Sequence, residues 1–498
     1  MPKIFVQLII MKTLLKKMAL CICIFSLLQI SINAQNEVDA LRFSEIDWQG
    51  TARFMGAGKA FGAVGAEFSA LNTNPASIGL YKKHELTFTP MTISVYKNNS
   101  GYNGNATPAQ AVKGNIGSAG VVLALPGVSS TLWKKFQIGF GYNRIKNFNN
   151  TFAIEGRSQG STIGSVMARA AEGLNYNDYR TELWPTELWA AWDSYLIDTL
   201  SGNHTSYLPV FAGRDMFHSS TVVQKGGIDE MIFSFGTNYD DKLFLGATIG
   251  VPFINYTENR TFLEKNDKPV SSDVFREYNI TDKLTVRSTG INLKLGVIYQ
   301  PVDFFRAGLA FHTPTYYGNV RDNFSRQVVF FPYTKIDNES YSSLFNYSLT
   351  TPLRAMANVA FFMARRAFIS IEYEFADYGM ASMYSVNYNF SKENKAIQNK
   401  YGFSHIARIG AELNLSQVFA IRAGYNYVSS PYKNKINDGS KHYASAGFGF
   451  KTKYLYGDFA YALTTSKEKY WMFDPTFVNA AKNQFITHRT MLTLGVRF

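Results

Sequence analysis

The chain has 498 residues, of which 15% are aromatic and only 17% are charged, and its formal net charge is +13. Its lysines and arginines are scattered among Asp, Glu and Asn without a basic stripe or an aromatic RNA-binding motif, which argues against a nucleic-acid partner. The two cysteines, Cys21 and Cys23, both lie within the first 34 residues. The remainder of the chain therefore has no disulfide, thiol nucleophile or Cys-ligated metal.

Residues 1–34 have the layout of a secretory signal peptide, and we expect them to be removed. Three lysines precede an apolar run over residues 18–32, and Ala34 ends a small-residue cleavage site. Met11 stands directly before this basic segment and is an alternative start to Met1. A transmembrane anchor is the other interpretation, but no stop-transfer cluster of charges follows. Because the segment holds four lysines and no acid, its removal leaves a charge of +9.

The next block, residues 35–81, shows no regular alternation and is rich in small residues over 56–65. Its glycine spacing does not match the dinucleotide-binding fingerprint, and no acidic partner frames it. The block ends in Asn74-Pro75-Ala76, where the Asn-Pro step favours an extended approach followed by a sharp turn. We predict that it forms a plug inside a barrel; an ordinary turn before the first strand is the alternative.

From residue 82 onwards, apolar and aromatic residues alternate with glycine, amide and charged residues at a two-residue period, as in 136–142 and 291–299. One apolar face and one Gly-rich polar face are typical of strands that face lipid outside and a polar lumen inside. A soluble sandwich also alternates, but its surface is rarely so rich in glycine. The pattern predicts fourteen strands, at about 85–96, 113–125, 133–145, 228–239, 242–254, 283–300, 304–313, 352–364, 366–378, 403–415, 418–428, 440–450, 453–464 and 486–498.

The predicted connections alternate long and short without exception, and the longest are 146–227, 254–283, 314–352 and 378–403. Short periplasmic turns and long extracellular loops are the rule in outer-membrane barrels. No run after Ala34 reaches the roughly 18 apolar residues of a helical span. We therefore predict that residues 82–498 form an all-β, membrane-spanning antiparallel barrel, monomeric and surrounded by outer-membrane lipid.

The longest predicted loop contains a short helix with three of the six tryptophans of the chain. An early proline and a first-turn glutamate favour a helix start near residue 185. We predict that this helix lines an extracellular groove for an apolar ligand. Simple packing against a neighbouring loop is the alternative. The predicted groove residues are Trp184, Leu188, Trp189 and Trp192.

The last strand alternates cleanly, with Leu492, Leu494, Val496 and Phe498 on one face. It resembles the terminal aromatic strand that barrel assembly machinery recognises. The resemblance implies that this machinery is a partner, through the strand ending at Phe498.

The small-residue block resembles the N-terminal hatch of the FadL-type long-chain fatty acid transporters, whose barrels have fourteen strands. The matching residues are Gly58, Ala60, Phe61, Gly65, Asn72, Asn74, Pro75 and Ala76. The resemblance implies passive uptake of hydrophobic small molecules, such as long-chain fatty acids or aromatic or hemin-like compounds, without a cofactor. It further implies a route from a surface groove, past the plug, to a lateral opening in the wall.

The third predicted strand carries Gly139 and Gly141 on its lumen face, where a bend or bulge costs least. We predict the lateral opening there, with Asn74-Pro75-Ala76 close by. Because many lumen positions are glycine, an unremarkable pair of glycines is the alternative.

Two other functions compete with uptake. A FadL-like barrel can also serve protein secretion or assembly. An enzyme is disfavoured, because no Ser-His-Asp or paired-carboxylate grouping is evident and no two histidines are spaced as a metal pair. Charged residues of the predicted strands are expected to form a solvated, charge-paired interior: Arg306, Arg354, Glu372, Glu374, Arg408, Glu412, Arg422 and Asp458.

Overall fold

A computed structural model describes residues 37–127, 131–178, 181, 185–271, 273–332, 337–364, 366–435 and 437–498. The predicted signal segment 1–34 and the predicted groove residue Trp184 lie outside the described residues.

The described strands form one antiparallel sheet that closes on itself, because the last strand pairs with the first from Glu85↔Arg497 to Gly101↔Lys482. Several strands are interrupted for a few residues, and two consecutive segments count as one strand where they follow the same neighbour. On this count the described part of the chain has fourteen strands, which confirms the predicted fold. They are β1 (Glu85–Tyr102), β2 (Asn105–Asn115 and Ser118–Pro126), β3 (Trp133–Asn147 and Asn150–Arg157), β4 (Phe217–Tyr239), β5 (Leu243–Lys265), β6 (Phe275–Val302), β7 (Phe305–His312 and Tyr316–Pro332), β8 (Asp337–Thr350 and Arg354–Met363), β9 (Ala367–Asp377 and Ser382–Tyr384), β10 (Phe403–Asn414), β11 (Phe419–Val428), β12 (Lys441–Lys451), β13 (Leu455–Tyr470) and β14 (Ala481–Arg497).

The two faces of the sheet differ as the alternation predicts. Apolar side chains such as Ile409, Ile421 and Leu494 point outwards and are exposed, whereas Arg408 and Arg422 point inwards and are buried. A closed barrel with an apolar outer belt suits lipid outside, because paired strands satisfy one another's backbone groups. The protein is thus a membrane-spanning barrel of the outer-membrane type. None of the described helices is long and apolar enough to cross a bilayer.

The strands extend well beyond the bilayer, and here the predicted loops were wrong. β6 has 28 residues, although about 9–11 residues suffice to cross a membrane. Much of the predicted loops 254–283 and 314–352 is paired strand, and the first outer connection is a tight turn at 103–104. Above the membrane both faces of a strand contact water or protein, so the contrast between lipid and lumen faces that guided the prediction is lost.

Short helices occupy the space before β1 and the outer loops. The described part of residues 158–216, between β3 and β4, shares a hydrophobic core with the outer ends of the barrel strands, and we call it the extracellular cap. The α-helices are α1 (Glu37–Ser44), α2 (Ala52–Gly56), α3 (Gly164–Ala171), α4 (Thr186–Asp193) and α5 (Ser391–Lys400). The 3-10 helices are Phe68–Asn72, Pro75–Leu80, Tyr176–Asp178, Tyr378–Met380 and Lys433–Lys435, and a small hairpin joins Ile197–Thr199 to Tyr207–Pro209.

Candidate functional site in the lumen and the adjoining wall

Residues 37–81 lie against the inward faces of the strands, in contact over their glycines. A Cβ added to Gly58 would lie 2.6 Å from the carbonyl oxygen of Ile409 on β10. One added to Gly424 on β11 would lie 2.1 Å from the Gly58 nitrogen. Backbones that approach this closely tolerate no side chain. The small residues of this block and the glycines of the lumen face are therefore complementary surfaces.

The Asn74-Pro75-Ala76 motif begins a short 3-10 helix, Pro75–Leu80, with Pro in its first turn. The Asn74 side chain accepts a hydrogen bond from Ala76 N (3.1 Å) and donates one to Asn358 Oδ1 on β8 (3.0 Å). The motif therefore packs against β5, β6 and β8, where a Cβ at Gly246 would meet the carbonyl of Pro75. Its helix reaches β3 through Ile78, which lies 3.0 Å from a Cβ built on Gly139, and through the Gly79 carbonyl, which accepts a hydrogen bond from Gln137 Nε2 at 3.1 Å.

Two carboxylates in the segment just after α1 hold this block to the barrel. Glu45 accepts hydrogen bonds from Lys146 of β3 and Lys441 of β12, both at 2.8 Å. Asp47 contacts Lys59 at 2.5 Å and Arg489 of β14 at 3.5 Å. Each of these carboxylates thus meets two cations, and at least one of the two comes from a barrel strand.

The barrel strands carry a second ion-pair network beneath this segment. Arg408 donates to both Glu372 and Glu374. Arg422 bridges Glu412 at 2.6 Å and Asp458 at 2.7 Å. The predicted charge pairing is present, but these side chains are buried rather than solvated because residues 37–81 cover them. Arg306 belongs to the same layer and donates to the Val64 carbonyl at 2.6 Å.

A cavity of about 330 Å³ lies above residues 45–59, towards the extracellular side. Lys59, Lys146 and Lys441 line it together with Glu45 and Asp47. Its other walls combine polar, aliphatic and aromatic side chains, and the aromatic ones are Tyr96, Phe148, Tyr256, Tyr378, Tyr432, Tyr443 and Phe485. The cavity therefore offers ring faces and a set of paired cations within one space.

The wall beside this cavity has a discontinuity between β2 and β3, which we call the seam. The ladder between the two strands runs only from Ser118↔Asn143 to Pro126↔Lys135. Beyond it, the described backbone of Asn105–Asn115 forms no ladder with Asn150–Arg157, and each segment pairs only with its other neighbour.

Along the seam, side chains and the N-terminal segment make hydrogen bonds in place of a backbone ladder. Asn147 Nδ2 donates to Asn115 Oδ1 at 3.2 Å, and Asn105 Nδ2 donates to the Glu155 carbonyl at 2.7 Å. At the lower end of the seam, the carbonyl of Ile145 accepts from Asp47 N at 2.9 Å. The segment that packs in the lumen therefore also contacts the bottom of the seam.

Gly139 and Gly141 lie on the same strand as the seam but below it. Both are paired on each side, Gly139 with Val122 and Ser234, so the ladder is intact at this level. Their Cα atoms face the lumen, where a Cβ on Gly141 would lie 2.5 Å from the Phe68 ring. A lateral opening at these glycines stays a prediction.

The predicted groove residues that the structure describes pack into the cap. Leu188 is 1% exposed, and Trp189 and Trp192 are partly buried against the same core. The Trp192 ring stacks on Tyr176 at 5.8 Å and 9°, and meets Tyr207 edge-on. In this conformation the helix contributes its aromatic side chains to the interior of the cap; a ligand groove formed by them stays a prediction.

Elsewhere, buried titratable groups form hydrogen bonds that hold neighbouring segments together. In the cap, Glu264 accepts from His218 Nε2 at 2.8 Å and from the Ile163 backbone N–H at 2.8 Å, just before α3. His218 Nδ1 in turn lies 3.1 Å from the Tyr102 hydroxyl. Among the described residues, no group of three or more His, Cys, Asp or Glu is arranged to hold a metal ion.

Comparison with known proteins defines the fold class. No protein-family model and no curated protein matches the chain. A FadL homologue from Pseudomonas aeruginosa superposes with a TM-score of 0.53 at 13% identity, over 91% of this chain and 99% of that one. The Pseudomonas putida toluene transporter TodX gives 0.52 at 12% identity, over 91% and 99%. The chain therefore has the fold of the FadL-type transporters, as the resemblance of its N-terminal block predicted.

Proposed function

We propose that this barrel is a passive channel through which hydrophobic small molecules cross the outer membrane. The observation that carries the proposal is the seam between β2 and β3, directly beside the lumen cavity. Phe148 and the residues on either side of it line the cavity and belong to the strand that borders the seam. A ligand that reaches the cavity is thus separated from the membrane by side chains rather than by a backbone ladder.

The energetics of this route require no coupled energy source. Transfer of apolar area from water to an apolar site is worth about 25 cal/mol per Å². Val112 and Ile116 stand on the outward face of the β2 side of the seam and are 58% and 48% exposed. An apolar molecule leaving through the seam therefore moves from aromatic faces to exposed aliphatic side chains and then to lipid.

The known activity of a structural neighbour agrees with this direction. TodX is described both as a toluene transporter and as a monoaromatic hydrocarbon channel. We propose monoaromatic compounds and long-chain fatty acids as the ligand classes to test first. Residues 37–81 would act as the plug, with Asn74, Pro75 and Ala76 anchoring it against β8.

Service as a protein-secretion component is the competing proposal. A polypeptide would need a wide passage, whereas the described residues 37–81 pack backbone-to-backbone against the lumen wall. The close packing at Gly58 and Gly424 therefore favours small molecules.

Cross-linking the seam tests the proposal, and the part of the chain after residue 34 contains no cysteine that would interfere. Asn115→Cys with Asn147→Cys, joined by a short bis-maleimide, bridges the seam at the 3.2 Å side-chain contact. Uptake of labelled toluene or fatty acid by cells should then fall to the level of cells lacking the protein.

The matched control is Leu123→Cys with Ile138→Cys, which are register partners in the intact ladder of the same two strands. A mono-maleimide on the seam pair controls for labelling itself. If the bridged seam pair takes up both ligands as fast as the bridged control, the wall is not the exit and the proposal fails.

A further inference from the structure

The outward wall formed by β9–β14 carries a repeated feature that the lumen does not explain. Each member is a tyrosine hydroxyl bonded to the Nδ1 atom of a histidine on the next strand, at 2.6, 2.7 and 2.7 Å. The pairs are Tyr373–His405, Tyr425–His442 and Tyr461–His488.

The three pairs lie at one level of the membrane. Following the register across the sheet, Tyr373 lies opposite Ala407 of β10, and Ala407 lies opposite Tyr427 of β11. The β11 tyrosine that bonds to a histidine is instead Tyr425, which lies two residues nearer the periplasmic end. The same offset recurs at the next pair, where Tyr461 replaces Leu463. In a tilted barrel a horizontal line moves along the strands by about one residue per strand. The offset therefore keeps all three pairs at constant height.

Four lysines lie above this level, on the outward faces of β13, β14 and β1. Lys467 is twelve residues beyond Leu455, the first residue of β13. At roughly 2.5 Å of height per residue in a tilted strand this is roughly 30 Å, just above an apolar band of about 25 Å. Lys469, Lys482 and Lys97 are exposed at the same end of neighbouring strands.

The register places two of these cations directly against each other. Lys469 is the partner of Lys482 across the β13–β14 ladder, and Lys467 lies two residues away on the same face. Like charges directly opposite each other are destabilising. Glu468, the acid between them in sequence, points to the opposite face of the strand and lines the lumen cavity, which Lys467 also borders. Within the described part of the chain, none of these three lysines pairs with a carboxylate, whereas Lys441 on neighbouring β12 does.

We propose that Lys467, Lys469 and Lys482, with Lys97 at their flank, bind the phosphate groups of a phosphorylated glycolipid in the outer leaflet. A phosphate between opposed lysines removes their repulsion and accepts charge-assisted hydrogen bonds. The level of the patch, immediately above the apolar belt, is where the headgroup of a lipid packed against β13 and β14 would lie. At the same rise per residue, the row of Tyr–His pairs lies roughly 15 Å below Lys467, inside the apolar band.

The test measures lipid retained by the full-length purified barrel in detergent, by native mass spectrometry. The probes are bisphosphorylated lipid A, its dephosphorylated form, and phosphatidylglycerol as a second phosphate source. The variant is Lys467→Gln/Lys469→Gln/Lys482→Gln. The control is Lys392→Gln/Lys395→Gln, two exposed lysines of α5 on the same side of the membrane.

We expect the triple variant to retain several-fold less bisphosphorylated lipid A, with the control unchanged and the dephosphorylated lipid bound weakly by all. Equal retention by the triple variant and the wild type overturns the proposal. So does an equal loss in the control, or an equal affinity for phosphatidylglycerol, since either result means unspecific attraction of anions. Unchanged heat-modifiable migration in gels shows that each variant is folded.

Discussion

Neighbouring strands are joined differently in two parts of the barrel wall. From β9 to β14 every strand pairs with the next in unbroken register, from Ala367↔Leu413 to Tyr470↔Ala481. Between β2 and β3 the ladder stops after Ser118↔Asn143, and asparagine side chains bridge the gap. A backbone ladder separates only if a strand unfolds, whereas hydrogen bonds between side chains can break while both strands stay folded. This difference is the reason why we propose the exit between β2 and β3.

Residues 37–81 contact the interrupted wall between β2 and β3. Among the changes that we predict, their deletion should have the largest effect, and the measured quantity is conductance. Deletion of residues 37–81 removes both the small-residue packing in the lumen and the hydrogen bond from Asp47 N to Ile145. We expect the variant in planar bilayers to change from nearly closed to a steadily conducting pore. Unchanged conductance from a variant that still migrates as a folded barrel would exclude a plug role.

The continuous wall depends on its internal ion pairs, which gives the next largest effect. Arg408→Met leaves Glu372 without its cation, while Glu374 keeps Arg354 at 2.7 Å. Removing one partner of a buried pair costs about 3–5 kcal/mol. The free energy of unfolding in urea should fall by this amount. Arg366→Gln, at an exposed turn, should change it by less than about 0.5 kcal/mol, and an equally small change for Arg408→Met would contradict the network.

Much of the continuous wall could be predicted from the sequence, because lipid outside and a small-residue segment inside impose opposite chemistry on alternate residues. The apolar Ile409 faces outwards and the charged Arg408 faces inwards, as their side-chain types predict. The fourteen strands and the inward direction of Gly139 and Gly141 follow from the same pattern.

The seam could not be predicted in this way, because it consists of a missing neighbour rather than a local pattern. Nothing in the sequence of Asn105–Asn115 shows that its second partner is absent. The Lys469↔Lys482 opposition likewise depends on register between strands, which a single sequence does not encode. The predicted groove helix illustrates a third reason. The sequence of an apolar, aromatic helix looks the same whether its side chains bind a ligand or fill a core, as Leu188 does here.

The cap is a third region, and its hydrophobic core is shared with the outer ends of the barrel strands, above the membrane. Leu188→Ala should cost about 2–5 kcal/mol of cap stability, because the side chain is fully buried there. Limited proteolysis should cut residues 158–216 faster while the barrel core stays resistant. Val386→Ala, at an 85% exposed position of another outer loop, is the control.

The same helix offers a sharper comparison between core and groove. Trp192→Ala removes the ring stacked on Tyr176, so it should accelerate cap proteolysis as Leu188→Ala does. If the tryptophans instead line a groove, Trp189→Ala and Trp192→Ala should weaken binding of an apolar probe without changing proteolysis. The two readouts separate these roles for each residue.

The smallest effect concerns the contact between the cap and the loop that joins β13 to β14. Arg169 of α3 donates to Asp474, and Thr476 donates to the same carboxylate through its hydroxyl (2.6 Å) and its backbone N–H (2.8 Å). The hydrogen bonds from Thr476 and Arg169 lower the pKa of Asp474 to about 2 from the ordinary 3.8. A depressed pKa stabilises the folded form above pH 3.8, and that contribution is lost as the pH falls through about 2. Because the groups are partly exposed, the contribution is less than about 1 kcal/mol. Amide exchange of residues 474–477 should therefore accelerate between pH 4 and pH 2, beyond the intrinsic effect of pH, and Asp474→Asn should abolish this excess. An excess of the same size in the Asp474→Asn variant would assign the acid sensitivity to another group.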